Sequence, residues 1–132
     1  MPAYRLSHAA ELLGVSDDTL RRWISADRLS VSTDDSGRQV LDGAELAAFA
    51  QSRAAAPDAG VVRESARNRF TGLVTRVVRD TVMAQVEMQC GPFRVVSLLS
   101  REAADDLGLE PGVEAIASIK ATNVVVELPP EN

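Results

Sequence analysis

At AAAPDAG, residues 54–60, the hydrophobic pattern of the chain changes period, and that change limits the fold more than any other feature. Before it, apolar residues recur at helical spacing in a stretch rich in Ala, Leu, Asp and Ser. After it, residues 70–99 and 113–128 are dominated by valine in runs of strand length. Pro57 and Gly60 interrupt any helix that would bridge the two regimes, and no apolar face continues through them. The pattern predicts an α+β chain of two small domains, 1–53 and 65–128, joined by a linker or hinge at 54–64 and ending in a tail at 129–132. Two units near sixty residues in a chain of 132 are each marginal on their own, so a partner surface is expected.

Composition narrows the class further. With 45% hydrophobic and 25% charged residues the chain is neither disordered nor fibrous. No apolar run approaches the roughly 20 residues that span a bilayer, and the N-terminal MPAYRLSHAAELL has no basic region followed by an apolar one, so a cytoplasmic protein is expected. Cys90 is the only cysteine, which excludes an internal disulfide and a cysteine-rich metal cluster; it is expected as a buried strand residue. The 14 basic and 19 acidic residues give a net charge of −5. Residues 1–60 hold six basic against nine acidic groups and residues 61–132 hold eight against ten, so neither half is a basic tail. Any nucleic-acid contact must rest on local placement of arginines.

In LSHAAELLGVSDDTLRRWI, Ser7 is placed to cap a helix through Leu13, Gly14 to supply a turn, and Ser16 to cap a second helix running to about Asp27. Leu20, Trp23 and Ile24 share one side of that second helix and can pack on Ala10, Leu13 and Val15. Thr19, Arg21 and Arg22 lie away from it, offering a hydroxyl and two guanidiniums to phosphates or a guanine edge. Beyond it, DDSG reads as a turn between two short extended pieces, a small wing, and Asp42 as the start of a third helix. The stretch SHAAELLGVSDDTLRRWISADRLSVSTDDSGRQVLDGAELAAF resembles the excisionase/MerR-type winged helix-turn-helix family. That resemblance implies a second helix in the major groove of double-stranded DNA, with Thr19, Arg21 and Arg22 near it and Arg38 of the wing on the backbone. Asp34 and Asp35 depart from the family, in which basic wing residues would be expected. The plainer alternative leaves Arg21 and Arg22 paired with Asp17, Asp18 or Asp27 on a solvated face.

In the second half, residues 70–78, 81–90, 92–99, 113–120 and 123–128 read as five strands, with a short helix in SREAADDLGL, an order that suggests an OB-like five-stranded β-barrel. Leu73, Val77, Val86, Val95, Ile116 and Val125 are its core candidates. SARN, LLSREAADDLGLEPG and IKATNVVV together resemble the molbindin family, the Mop or TOBE domain. Family members bind molybdate or tungstate, dianions that call for donors and positive charge. The resemblance implies that Ser65 gives a hydroxyl, Arg67 its guanidinium or its backbone amide, Ser100 a second hydroxyl, Lys120 an ammonium and Ala121 a backbone N–H. Lys120 is the only lysine in the chain. Ala103 stands where relatives often carry a serine, and Thr122 is placed to supply another hydroxyl. The resemblance also implies an oxyanion held between subunits that exchange edge strands, in a homo-oligomer from a dimer up to a hexamer. The plainer alternatives make Ser100 a helix cap, Ser65 and Arg67 loop residues and Lys120 a solvated strand residue.

The expectation for the whole is a molybdate- or tungstate-responsive DNA-binding transcription regulator, with no membrane partner. The alternative is an oxyanion buffer or storage protein whose helical half serves assembly or protein interaction. No catalytic function is expected, because His8 and Cys90 lie in different halves and neither a metal-ligand cluster nor a glycine-rich phosphate loop is present in the sequence.

Overall fold

A computed structural model describes residues 2–27, 29–53 and 64–130. The chain divides into two compact units, residues 1–61 and 62–132. The expected linker, 54–64, lies outside the described residues except for Glu64. No helix among the described residues is long and apolar enough to cross a membrane.

The first unit runs β1 (Ala3–Arg5), α1 (Leu6–Leu13), α2 (Asp17–Asp27), β2 (Val31–Thr33), β3 (Gln39–Asp42) and α3 (Gly43–Ser52). Its strands form a three-stranded sheet in the order β1-β3-β2, both pairings antiparallel. Gly14 closes α1 in the left-handed region at φ 71°, where its amide reaches back to the carbonyls of Ala10 and Glu11. Ser16 then caps α2 by accepting the Thr19 amide at 3.1 Å, and Asp42 caps α3 by accepting the Glu45 amide at 3.1 Å. Ser7 does not cap α1. That helix begins one residue earlier, with Arg5 at the cap position and no side-chain cap bond, because β1 feeds it directly. Leu20 is fully buried among Leu6, Ala9, Ala10, Leu41 and Leu46, with Leu13, Val15 and Ile24 packed around them. Trp23 is half-buried against Phe49, ring centroids 5.6 Å apart, which makes it a packing residue.

The second unit is a curled antiparallel sheet of β4 (Asn68–Arg79), β5 (Met83–Cys90), β6 (Phe93–Ser100) and β7 (Glu114–Ile119) in the order β6-β5-β4-β7, with α4 (Arg101–Asp106) between β6 and β7. β5 alternates cleanly: Ala84, Val86, Met88 and Cys90 are buried and the residues between them are not. β4 serves two neighbours. Residues 68–73 pair with β7 and residues 73–79 with β5, and the register slips between Val74 and Arg76. The bulge bends the strand and lets Val74 and Val77, three residues apart, both face the core.

The fifth strand, expected at 123–128, does not form in the single chain. Lys120 leads into a tight turn at Ala121–Asn123, after which residues 124–130 carry no ladder, and Val125 and Val126 are 88% and 87% exposed. The valines are suited to a strand, but no edge of their own sheet reaches them. The result is a half-barrel whose concave side keeps an apolar trough of about 640 Å³ lined by residues of β4 to β7 and the α4–β7 connection. Leu73 and Ile116, expected in the core, are exposed with Val125. Their places are taken by Val74, Ala115 and Ala117, with Ala104 and Leu109 completing the cluster.

Candidate functional site

The terminal pair Asn68–Ile119 joins the start of β4 to the end of β7, and the Asn68 side-chain amide donates to Ile119 O at 3.1 Å. On one side of this pair lie Ser65 and Arg67, on the other Lys120 and Ala121, so β4 and β7 bring four of the five expected anion donors to one end of the sheet. Ser65 sits on an exposed bend. The Arg67 guanidinium folds back onto its own loop, donating to Glu64 O at 3.1 Å and Ala66 O at 3.4 Å. Arg69 pairs with the Glu64 carboxylate, which fixes the loop from its other side. Lys120 is exposed and makes no ion pair among the described residues.

Ser100 is elsewhere. It ends β6 opposite Met83, at the start of β5, beside the Arg79 end of β4. Asn68 and Arg79 are the two ends of the 12-residue β4, on the order of 30 Å apart along the extended chain. Ser100 Oγ accepts the Ala103 amide at 3.0 Å and so caps α4. A serine hydroxyl that accepts still has its proton to donate, so capping and anion contact are compatible at this residue. The Arg101 N–H is taken by Val82 O at 2.8 Å and the Ala103 N–H by Ser100. Arg79 braces this end, donating to Asp105 Oδ1 and to Leu109 O, each at 2.9 Å. Ala103 is half-buried and Thr122 is exposed in the turn beside Lys120.

In the first unit, Arg21 and Arg22 are exposed on α2 and form no ion pair among the described residues, while Arg38 is exposed at the end of the wing. Thr19 is half-buried and accepts from both Ser16 Oγ at 2.9 Å and Arg22 Nη2 at 3.2 Å. The acid in the wing has a local task. Asp34 Oδ1 accepts the amides of Ser36 and Arg38, each at 2.9 Å, and the Ser36 hydroxyl at 3.0 Å. The Arg38 amide is the main reason its carboxyl is held below the ordinary range, with the Ser36 contacts adding to it. Its charge is spent on the turn that carries Arg38. Sequence reasoning missed this role, although an aspartate two residues before a serine and three before a glycine is the signal for such a turn. It also missed Arg53, whose guanidinium lies 4.2 Å above the Trp23 ring.

The TOBE domain family matches residues 64–126 and the helix-turn-helix domain family residues 3–54. Molybdenum-pterin-binding protein 3 of Clostridium pasteurianum is 38% identical over 63 residues, which are 47% of this chain and 93% of that protein. A probable molybdenum-pterin-binding protein of Haemophilus influenzae is 43% identical over 63 residues, 47% of this chain and 91% of that protein. Among solved structures, the cytoplasmic molybdate-binding protein ModG, in a form with molybdate bound, matches at a TM-score of 0.50 and 39% identity, over 52% of this chain and 49% of that one. The chain thus spans about half of ModG. Through its second unit it belongs to the TOBE-domain family of molybdenum-pterin-binding proteins, and it carries a helix-turn-helix domain ahead of that unit.

Proposed function

From that membership we propose that the chain is a molybdate- or tungstate-responsive DNA-binding regulator, whose second unit binds the oxyanion between copies and whose first unit binds duplex DNA. The observation that carries this reading is the division of the anion donors between the two ends of β4. One end offers Ser65, Arg67, Lys120 and Ala121; the other offers Ser100. A second copy that sets its Ser100 end against the first copy's Lys120 end assembles the full donor set. The same contact gives the exposed Val124–Leu128 segment an edge to pair with and the apolar trough a cover. Arg67 offers either its backbone amide or the guanidinium donors other than Nη1, which is engaged with Glu64 O and Ala66 O.

A tetrahedral dianion has neither apolar surface nor a group that titrates near neutrality, so its recognition falls to hydroxyls, amides and one ammonium. Charge-assisted hydrogen bonds are the strong ones, and Lys120 supplies a full positive charge that forms no ion pair among the described residues. The protein acts by binding, not by catalysis. On DNA, α2 enters the major groove with Arg21 and Arg22 and the wing sets Arg38 on the backbone. The oxyanion alters DNA affinity to the extent that it binds unequally to two arrangements of the DNA-binding units.

The test is selection of a preferred site from random duplex DNA by the full chain, with and without molybdate. The expected result is one enriched sequence whose affinity changes when molybdate is added. Replacing Arg21 and Arg22 together by Ala is expected to abolish selection while leaving molybdate titration intact. Several bound anions per oligomer with no preferred DNA would instead support storage.

A further inference from the structure

Arg22 and Arg21 are adjacent and chemically identical, yet only one of them is held. Ser16 Oγ accepts the Thr19 amide at 3.1 Å and donates to Thr19 Oγ1 at 2.9 Å. Arg22 Nη2 donates to the same Thr19 Oγ1 at 3.2 Å. Thr19 Oγ1 therefore accepts twice and keeps its own proton for a ligand. The contact uses one of the five N–H donors of Arg22 and leaves four, enough for a two-bond fork. No carboxylate of the described residues neutralises that fork. Arg21 makes no side-chain hydrogen bond among the described residues, so its guanidinium stays free to follow the nearest charge.

A guanine edge demands two parallel N–H bonds at fixed angle, whereas a phosphate accepts a cation from many directions. A pre-positioned guanidinium loses less freedom when it docks, which suits the demanding contact. We infer that Thr19 is a positioning residue for sequence recognition: it holds Arg22 for a guanine edge, while Arg21 meets the phosphate backbone. This rests on the DNA-binding reading above and assigns separate tasks within it.

The experiment is site selection from random duplex DNA by the full chain and by Thr19→Val, Thr19→Ser, Arg22→Lys and Arg21→Ala, followed by affinities at two salt concentrations and a thermal melt of each variant. Thr19→Val removes the hydroxyl and keeps the branched shape; Thr19→Ser keeps the hydroxyl. Thr19→Val and Arg22→Lys are expected to bind with the wild-type salt dependence but to lose preference at one base pair by about tenfold or more, the discrimination of a bidentate arginine–guanine pair. Thr19→Ser is expected to retain it. Arg21→Ala is expected to weaken all sequences alike and to reduce the salt slope by about one. Wild-type preference in a folded Thr19→Val variant overturns the positioning role and leaves DNA binding standing. If Thr19→Val does not fold, wild-type preference in Arg22→Lys overturns it equally. A wild-type chain that selects no sequence overturns both this inference and the DNA-binding reading.

Discussion

Single carboxylates shape the turns that aim this protein's functional segments. Asp80 accepts the amides of Val82 and Met83 at 2.8 and 2.6 Å on one oxygen, closing the turn that leads into β5. The Met83 amide is the largest cause of its lowered pKa, followed by the Val82 amide, with the Arg101 charge adding to it. A folded-state pKa below the ordinary 3.8 means that the carboxylate stabilises the fold at pH values above that figure. That contribution is lost as the pH falls through the folded value. Urea midpoints measured from about pH 6 to about pH 2 are therefore expected to fall on acidification, and Asp80→Asn to start lower and fall less. An unchanged acid dependence in the variant would remove Asp80 from this role. Local roles of this kind were the most legible part of the sequence. Ser16, Asp42 and Gly14 do what their residue types and spacing suggest, because a cap or a left-handed turn depends only on its immediate neighbours. Ser7 failed because β1, three residues long and without a strong pattern of its own, set the start of α1.

At the level of elements, alternation located the strands but could not see a bulge. Leu73 and Val77 lie on one face of an unbroken strand, which is why both read as core. The slip between Val74 and Arg76 turns Leu73 outward and brings Val74 inward. β7 misled for another reason. It faces the core with the small Ala115 and Ala117 and leaves the larger Ile116 48% exposed; Ala115 pairs with Gly72 of β4. A Cβ on Gly72 would overlap Gln89 O and stand 2.7 Å from Cys90 Sγ. Gly72→Ala is expected to destabilise the second unit by about 1–3 kcal/mol through overpacking at that close approach, read as a lower denaturation midpoint. A midpoint equal to wild type would mean that β4 and β5 separate there at little cost. The sequence at 123–128 was read as a strand because its valines suit one. Pairing requires an edge, and the edges of this four-stranded sheet are those of β6 and β7, to which the turn at Ala121–Asn123 does not deliver it.

For the whole molecule, the resemblance at SARN, Ser100 and IKATN named the expected anion donors, but the spacing of motifs along a chain carries no information on which end of a strand each occupies. The sheet order does, and it separates Ser100 from Lys120. The central claim is that each oxyanion site combines the Lys120 end of one copy with the Ser100 end of another. Its most direct test is complementation between two defective chains. Lys120→Ala removes the ammonium, and Ser100→Asp keeps a good helix cap while setting a carboxylate against the dianion. Each variant alone is expected to bind molybdate at least tenfold more weakly than wild type, the loss of one charged hydrogen bond. Oligomers formed by producing the two chains together contain contacts in which an intact Lys120 end meets an intact Ser100 end. Calorimetric titration of that mixture is expected to recover a fraction of sites at wild-type affinity, whereas a mixture with no recovered tight sites would contradict a site shared between copies.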